Sequence, residues 1–338
     1  DGLEGFNVAV GGGLGMTHGQ EETYPRAADI IGFVSTDKVV EVAEKVVLVQ
    51  RDFGDRSNRK HARLKYTIDD RGVEWFVDEL EARLGYELEP VRDFVFENNG
   101  DRFGWAENAD GTANYTLFVQ GGRIIDNDSQ KLRSGLRRIA ETVEAEFRLT
   151  PNQNVTIAKV AAGDRDKVEA LLKEFALGGS EILSGLRQSS IACVALPTCG
   201  LALAEAERYL PDVITELEEV LEAQGLRHDA ITSRMTGCPN GCGRPFLAEI
   251  GFVGRGPDKY HVYLGGGHAG QRLNKLWQGD VPGGEIKGLL TPVIEAYAKE
   301  RNEGEPFGDF VIRAGFVAET TEGKTFHEDT GAREPALA

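Results

Sequence analysis

Apolar positions along this chain change period several times, and each change marks a different element. Residues 6–15, Phe-Asn-Val-Ala-Val-Gly-Gly-Gly-Leu-Gly, read as a short apolar strand running into glycines. Ser35-Thr36-Asp37 supplies a helix start, and Val39, Val40, Ala43, Val46 and Val47 give that helix an apolar face. A second helix is expected over 73–84, with Gly85 as its stop. After residue 86 the texture changes. Positions 114–119 alternate as a strand, Gly121-Gly122 turns it, and 123–125 returns as its partner. Residues 132–147 read as an amphipathic helix, 155–160 as a strand and 164–175 as a further helix. That order predicts a compact α+β unit.

Beyond about residue 183 the pattern predicts helices over 201–210 and 212–223, with Pro211 between them. Strands are expected over 230–235, 246–253 and 261–264, the last followed by Gly265-Gly266-Gly267. A helix over 284–300 and a short strand over 310–314 close the chain. The predicted fold is α+β, a multi-domain arrangement of mixed sheets with helices. Its expected parts are 1–82, the remainder of a middle domain; 83–182, the α+β unit; and 183–338, which holds every cysteine.

Composition narrows the function classes. The chain has 338 residues, 41% of them apolar, and no run of about 18 apolar residues to span a bilayer. A net charge of −17 argues against nucleic acid and anionic membranes as partners, since both need basic surfaces. The N-terminus lacks an initiator Met and the features of a signal peptide, and reads as the middle of a longer chain. A cytoplasmic location is expected. One segment opposes the acidity: Arg51, Arg56, Arg59, Lys60, Arg63 and Lys65 stand against only Asp52 and Asp55. It is either a solvated basic turn or a local anion site.

The cysteines carry the clearest chemistry. There are four, in two tight pairs, with five residues between Cys193 and Cys199 and three between Cys238 and Cys242. Four thiolates suit a [4Fe–4S] cubane, and Gly and Pro around the second pair let backbone pass close to a bulky group. Structural zinc fits the five-residue gap poorly. Disulfides need an oxidising compartment that nothing here indicates. Four inert core thiols leave the pairing unexplained.

The pattern Cys193-(x5)-Cys199-(x38)-Cys238-Pro239-Asn240-Gly241-Cys242 resembles the signature of the sulfite and nitrite reductases that couple sirohaem to a [4Fe–4S] cluster. Arg51–Arg56, Asn152-Gln153-Asn154, Ala204–Arg208 and Phe307–Phe310 extend the similarity, and the assimilatory sulfite-reducing branch fits best. The resemblance implies that Cys193, Cys199, Cys238 and Cys242 ligate the cluster. It implies that Cys242 is also the axial ligand of the sirohaem iron and so the catalytic cysteine. Sirohaem carries carboxylates, so Arg51, Arg56, Arg59, Lys60 and Arg63, the amides Asn152, Gln153 and Asn154, and Asn240 are candidate cofactor contacts.

The implied reaction is the six-electron reduction of sulfite to sulfide in sulfur assimilation. The donor would be an NADPH-linked flavoprotein, with ferredoxin as the alternative. The rivals are nitrite reduction with the same cofactors and an iron–sulfur carrier with no substrate site. In the family, cations in the first half of the polypeptide grip the substrate. This chain looks like the C-terminal portion, so a missing N-terminal half is an expected partner.

Overall fold

The computed structural model describes residues 2–333. The first part pairs β1 (Gly5–Val10) antiparallel with β2 (Asp29–Ser35) and packs α1 (Val39–Phe53), α2 (Leu64–Arg71) and α3 (Val73–Leu84) against them. Val10, Val34, Val42, Val49, Ile68, Phe76 and Leu80 form its core. The buried stripe of α1 is Val39-Val42-Val46-Val49, with i, i+3, i+7 spacing. Val40 and Val47, expected on that face, are 78% and 65% exposed. Two valine stripes lie side by side on this helix, and only the packing partner selects one. Gly85 closes α3 in the left-handed region at φ 77°, as its sequence position suggested.

The second part is a four-stranded antiparallel sheet in the order β3-β4-β6-β5, from β3 (Gly104–Glu107), β4 (Ala113–Leu117), β5 (Glu146–Leu149) and β6 (Val155–Val160). Helices α4 (Leu132–Thr142) and α5 (Arg165–Glu174) cover one face. Two expectations are corrected here. Residues 123–125 do not return as a strand, because β4 takes its partners from β3 and β6 and Gln120–Gly122 forms a 3-10 turn. The helix expected to run to residue 147 stops at Thr142, where Val143 turns extended, and β5 follows as an exposed edge strand.

The third part contains α6 (Gly185–Gln188), β7 (Ser190–Ala192), α7 (Leu210–Ala223), β8 (Ser233–Thr236), β9 (Ile250–Gly256), β10 (Lys259–Leu264), β11 (Lys275–Pro282), α8 (Ile286–Glu300) and α9 (Phe307–Arg313). The sheet order is β11-β10-β9-β8-β7, with β7, β8 and β9 parallel and the rest antiparallel. α7 and α8 bury one face of it. Met16, Phe246, Val253, Tyr263, Leu273 and Phe326 cover part of the other. Residues 201–209 form turns and bends rather than the expected helix, and Pro211 lies in the first turn of α7 instead of separating two helices. Residues 310–314, expected as a strand, lie mostly in α9, whose Phe307, Phe310 and Val311 are buried on one helical side. β11 had no clear alternation to announce it. Among the described residues no helix is long and apolar enough to cross a membrane.

Candidate cofactor site

The parallel pairing of β7 with β8 brings the two cysteine loops together. Ser190, Ile191 and Ala192 lie beside Ser233, Arg234 and Met235, so both strands deliver their chains at the same end. Cys193 is the first residue beyond β7, and Gly237-Cys238 the first beyond β8. Ligand sites gather at the carboxyl ends of parallel strands for this reason. The N–H of Cys193 donates to the Met235 carbonyl at 3.1 Å, and the N–H of Gly237 points at Cys193 Sγ at 3.3 Å. The N–H groups of Leu203 and Ala204, beyond Cys199, both donate to the Gly237 carbonyl, at 2.7 and 3.2 Å. The Cys199 loop is thereby sewn to the Cys238 loop.

The thiols differ in setting. Cys238 is buried, Cys193 and Cys199 are half-buried and Cys242 is exposed, and none is in a disulfide. Burial pushes the Cys193 thiol up, opposed by the amides of Gly237 and Ala195, with Cys242 and Cys238 close enough to add to the rise. Burial likewise raises Cys238, against donation from Asn240, with Cys242 and Cys199 near enough to add to the rise. Among the described residues no three His, Cys, Asp or Glu side chains are close enough together to hold one metal ion, so the four thiols stand on neighbouring loops without being gathered at one point. A cubane asks for one thiolate per iron, with backbone amides directed at sulfur. The donor set fits such a group.

The glycine loop of the first part lies directly on this site. The N–H of Met16 donates to the Pro239 carbonyl at 3.0 Å. A Cβ added to Gly15 would come within 2.7 Å of Arg63 Nη1 and 3.2 Å of the Asn240 carbonyl, so the loop, the guanidinium and the cysteine loop meet closely here. Arg63 Nη1 donates to the Gly15 carbonyl at 2.7 Å. Lys65, 1% exposed, donates to the carbonyls of Gly13 and Gly15, each at 3.1 Å, and of Tyr24. Burial, then the charge of Arg63, pushes Lys65 down to about 8.

The rest of the basic run is more dispersed. Arg51 is exposed and paired with Asp52 at 2.7 Å. Arg56 donates to the carbonyls of Gln50 and Arg51, Arg59 is exposed, and Lys60 bonds Gln20 with Glu22 3.8 Å away. Of the amides, Asn152 donates to the Asn99 carbonyl and accepts from Arg244 at 3.0 Å. Asn154 is buried, donates to Asp101 at 2.7 Å and accepts the N–H of Val119. Gln153 holds Ala192, the residue before Cys193. These amides engage protein groups.

Sequence reasoning missed Arg234. It is 2% exposed on β8, and among the described residues its side chain has no hydrogen-bond or ion-pair partner. Burial, then Arg244, pushes it down to about 10. Inside the strand pattern it read as an ordinary polar position.

Two family models match the chain. Residues 1–88 match the "Nitrite and sulphite reductase 4Fe-4S domain" and residues 106–175 the "Nitrite/Sulfite reductase ferredoxin-like half domain". The chain belongs to the nitrite and sulfite reductase family. It is 56% identical over 326 residues, 96% of its length, to a sulfite reductase [NADPH] hemoprotein beta-component from Paenibacillus sp. (strain JDR-2). It is 58% identical over 330 residues to the protein of the same name from Methylorubrum populi. It covers 57% and 54% of those two relatives, little more than half their length. Among solved structures it is similar to the NirA protein of Mycobacterium tuberculosis, with a TM-score of 0.77 and 30% identity, over 92% of this chain and 57% of that one.

Proposed function

We propose that this chain forms the cluster-bearing part of a sulfite reductase haemoprotein. In that enzyme a sirohaem and a [4Fe–4S] cluster together carry out the six-electron reduction of sulfite to sulfide. The observation that carries the reading is the meeting of the two cysteine loops at the ends of parallel β7 and β8, beneath the glycine loop. Bound together, the two cofactors supply single-electron delivery and an open iron site for the substrate. The protein's own part is positional. Cys193, Cys199, Cys238 and Cys242 hold the cluster. Cys242, the exposed one of the four, would be the thiolate shared with the sirohaem iron. The amides of Gly237 and Asn240 donate to ligand sulfurs and tune their basicity.

Of the candidate sirohaem contacts, Arg63 and Asn240 have the best support, because both border Gly15. Arg51, Arg56, Arg59 and Lys60 are more distant candidates. Asn152, Gln153 and Asn154 act through the protein groups they hold. The electron donor is an NADPH-linked flavoprotein and the location cytoplasmic. The name shared by the relatives, sulfite reductase [NADPH] hemoprotein beta-component, supports the NADPH-linked donor.

The test is to produce the protein, with the remaining length of its relatives supplied, in cells that make sirohaem. Haem and cluster absorption with sulfide formation from sulfite supports the reading. Faster turnover of nitrite than sulfite would favour the nitrite alternative, and cluster absorption without haem bands would favour a plain electron carrier.

A further inference from the structure

A second cavity, of about 460 Å³, lies against Met16 and Pro239 and is bordered by Arg255, His261 and His327. Arg255 is its principal charge. The β9–β10 register moves from Gly254 opposite Tyr260 to Gly256 opposite Lys259, so Arg255 is the extra residue of a β-bulge. Such bulges re-aim a side chain out of the regular alternation. Arg255 Nη1 donates to Nδ1 of His18 at 3.0 Å, which fixes the guanidinium from the glycine-loop side. Its Nε is buried and unpartnered, and among the described residues Arg255 makes no ion pair. The lining includes one carboxylate, Glu21, which is exposed.

His261 keeps one ring N–H available. Nδ1 of His261 accepts the Asp280 N–H at 3.0 Å, so the ring proton sits on Nε2. Burial, then the nearby Arg255, pushes His261 down to about 4, although Asp280 lies 3.8 Å from its ring. A half-buried guanidinium held at one nitrogen by a histidine ring, with no ion-pair partner among the described residues, is the arrangement that receives an oxyanion.

We propose that this cavity is an anion site that takes a compact oxyanion group, with Arg255 as its counter-charge and His18 as the residue that positions Arg255. A free inorganic oxyanion and a carboxylate of a large cofactor share that chemistry. None of the four cysteines lines the cavity, and the cofactor-carboxylate source, unlike the free oxyanion, rests on the proposed function.

Calorimetric titration of inorganic phosphate into the holoenzyme at low ionic strength tests it. Arg255→Met is expected to remove one class of phosphate site, weakening it about tenfold or more. His18→Gln should weaken the same site several-fold, and Arg137→Met, at a position 81% exposed on α4, should leave it unchanged. Equal stoichiometry and affinity in the parent and Arg255→Met would overturn the proposal, as would a parent that binds no phosphate with or without sirohaem. Should Arg255→Met fail to fold, His18→Gln decides alone, and unchanged binding there overturns it. A site that titrates only in sirohaem-depleted protein is held by a cofactor carboxylate in the holoenzyme; one that titrates in both forms takes a free oxyanion.

Discussion

The side-chain amide of Gln153 pairs with both main-chain groups of Ala192, donating to its carbonyl at 2.7 Å and accepting its N–H at 3.2 Å. Ala192 ends β7, the edge strand of its sheet, and Cys193 follows it. Gln153 thus stands in for the missing neighbouring strand and anchors the first cysteine loop to the four-stranded unit. Its own backbone is in the left-handed region at φ 68°, which argues for a role that outweighs the strain.

Gln153→Ala should therefore destabilise the protein by about 1–3 kcal/mol, since it strands two main-chain groups. Gln153→Gly separates this role from strain: it relieves φ but loses both bonds. Denaturant midpoints and iron content of the two variants check the point. A Gly variant more stable than the parent, with full iron, would show that the amide pairing contributes little.

Cys242→Ser should disturb both haem and cluster spectra, whereas Cys193→Ser should disturb mainly the cluster. The motivation is the exposure of Cys242 beside three more enclosed thiols. A haem spectrum unchanged in Cys242→Ser would refute its bridging role.

Within the basic run, Arg63→Ala should lower sirohaem content more than Arg56→Ala combined with Arg59→Ala. Arg63 reaches Gly15 beside Asn240, whereas Arg56 bonds backbone at the end of α1. A charge-assisted bond is worth about 1.5–3 kcal/mol, enough for a clear loss of haem per chain. Equal haem content in Arg63→Ala and the parent would remove it from the cofactor contacts.

Gly237→Ala should be among the most damaging single-methyl changes. The added Cβ would meet the Ala204 carbonyl at 2.6 Å and Ala195 Cβ at 2.7 Å, both in the other cysteine loop. Iron per chain should fall sharply, together with a stability loss of about 1–3 kcal/mol. Full iron loading in this variant would mean that the loops are free to part.

Stability should fall as pH drops from about 6.5 to about 4, in part through His261. Its folded pKa is depressed to about 4, so between those values the unfolded chain binds a proton that the folded one does not. The contribution is fully present above the unfolded value and of the order of 2 kcal/mol. Melting temperatures of the parent and His261→Gln, measured in phosphate-free buffer, should converge toward pH 4. Parallel curves would assign the acid loss to other groups.

How much of this was legible in the sequence depends on the range of the interaction. The apolar period of α3 with its Gly85 stop, and the alternation of β6, are local signals that tertiary packing left intact. Where two local readings competed, the sequence offered no arbiter. α1 carries two valine stripes, and the extension of α4 to Phe147 ignored a strand whose pairing partner, β6, comes later in the chain. In α9, Phe307, Phe310 and Val311 suit a helix side, but so short a segment also passes for a strand.

The cysteine pattern by itself pointed to a cluster, because ligand number and identity are properties of residue type, and the family resemblance named the cofactors. It also fixed which loops had to meet. Only the tertiary structure decided how they do so. Parallel β7 and β8 deliver both loops from the same sheet end, and that pairing joins residues about 190 and 234, too far apart for any local pattern. The same holds for Arg63 at Gly15, Gln153 at Ala192 and Arg234 on β8, which has no partner among the described residues. Charge can be read from composition, but whether a cation faces water, a carbonyl or a cofactor is set by the chain segments that fold around it.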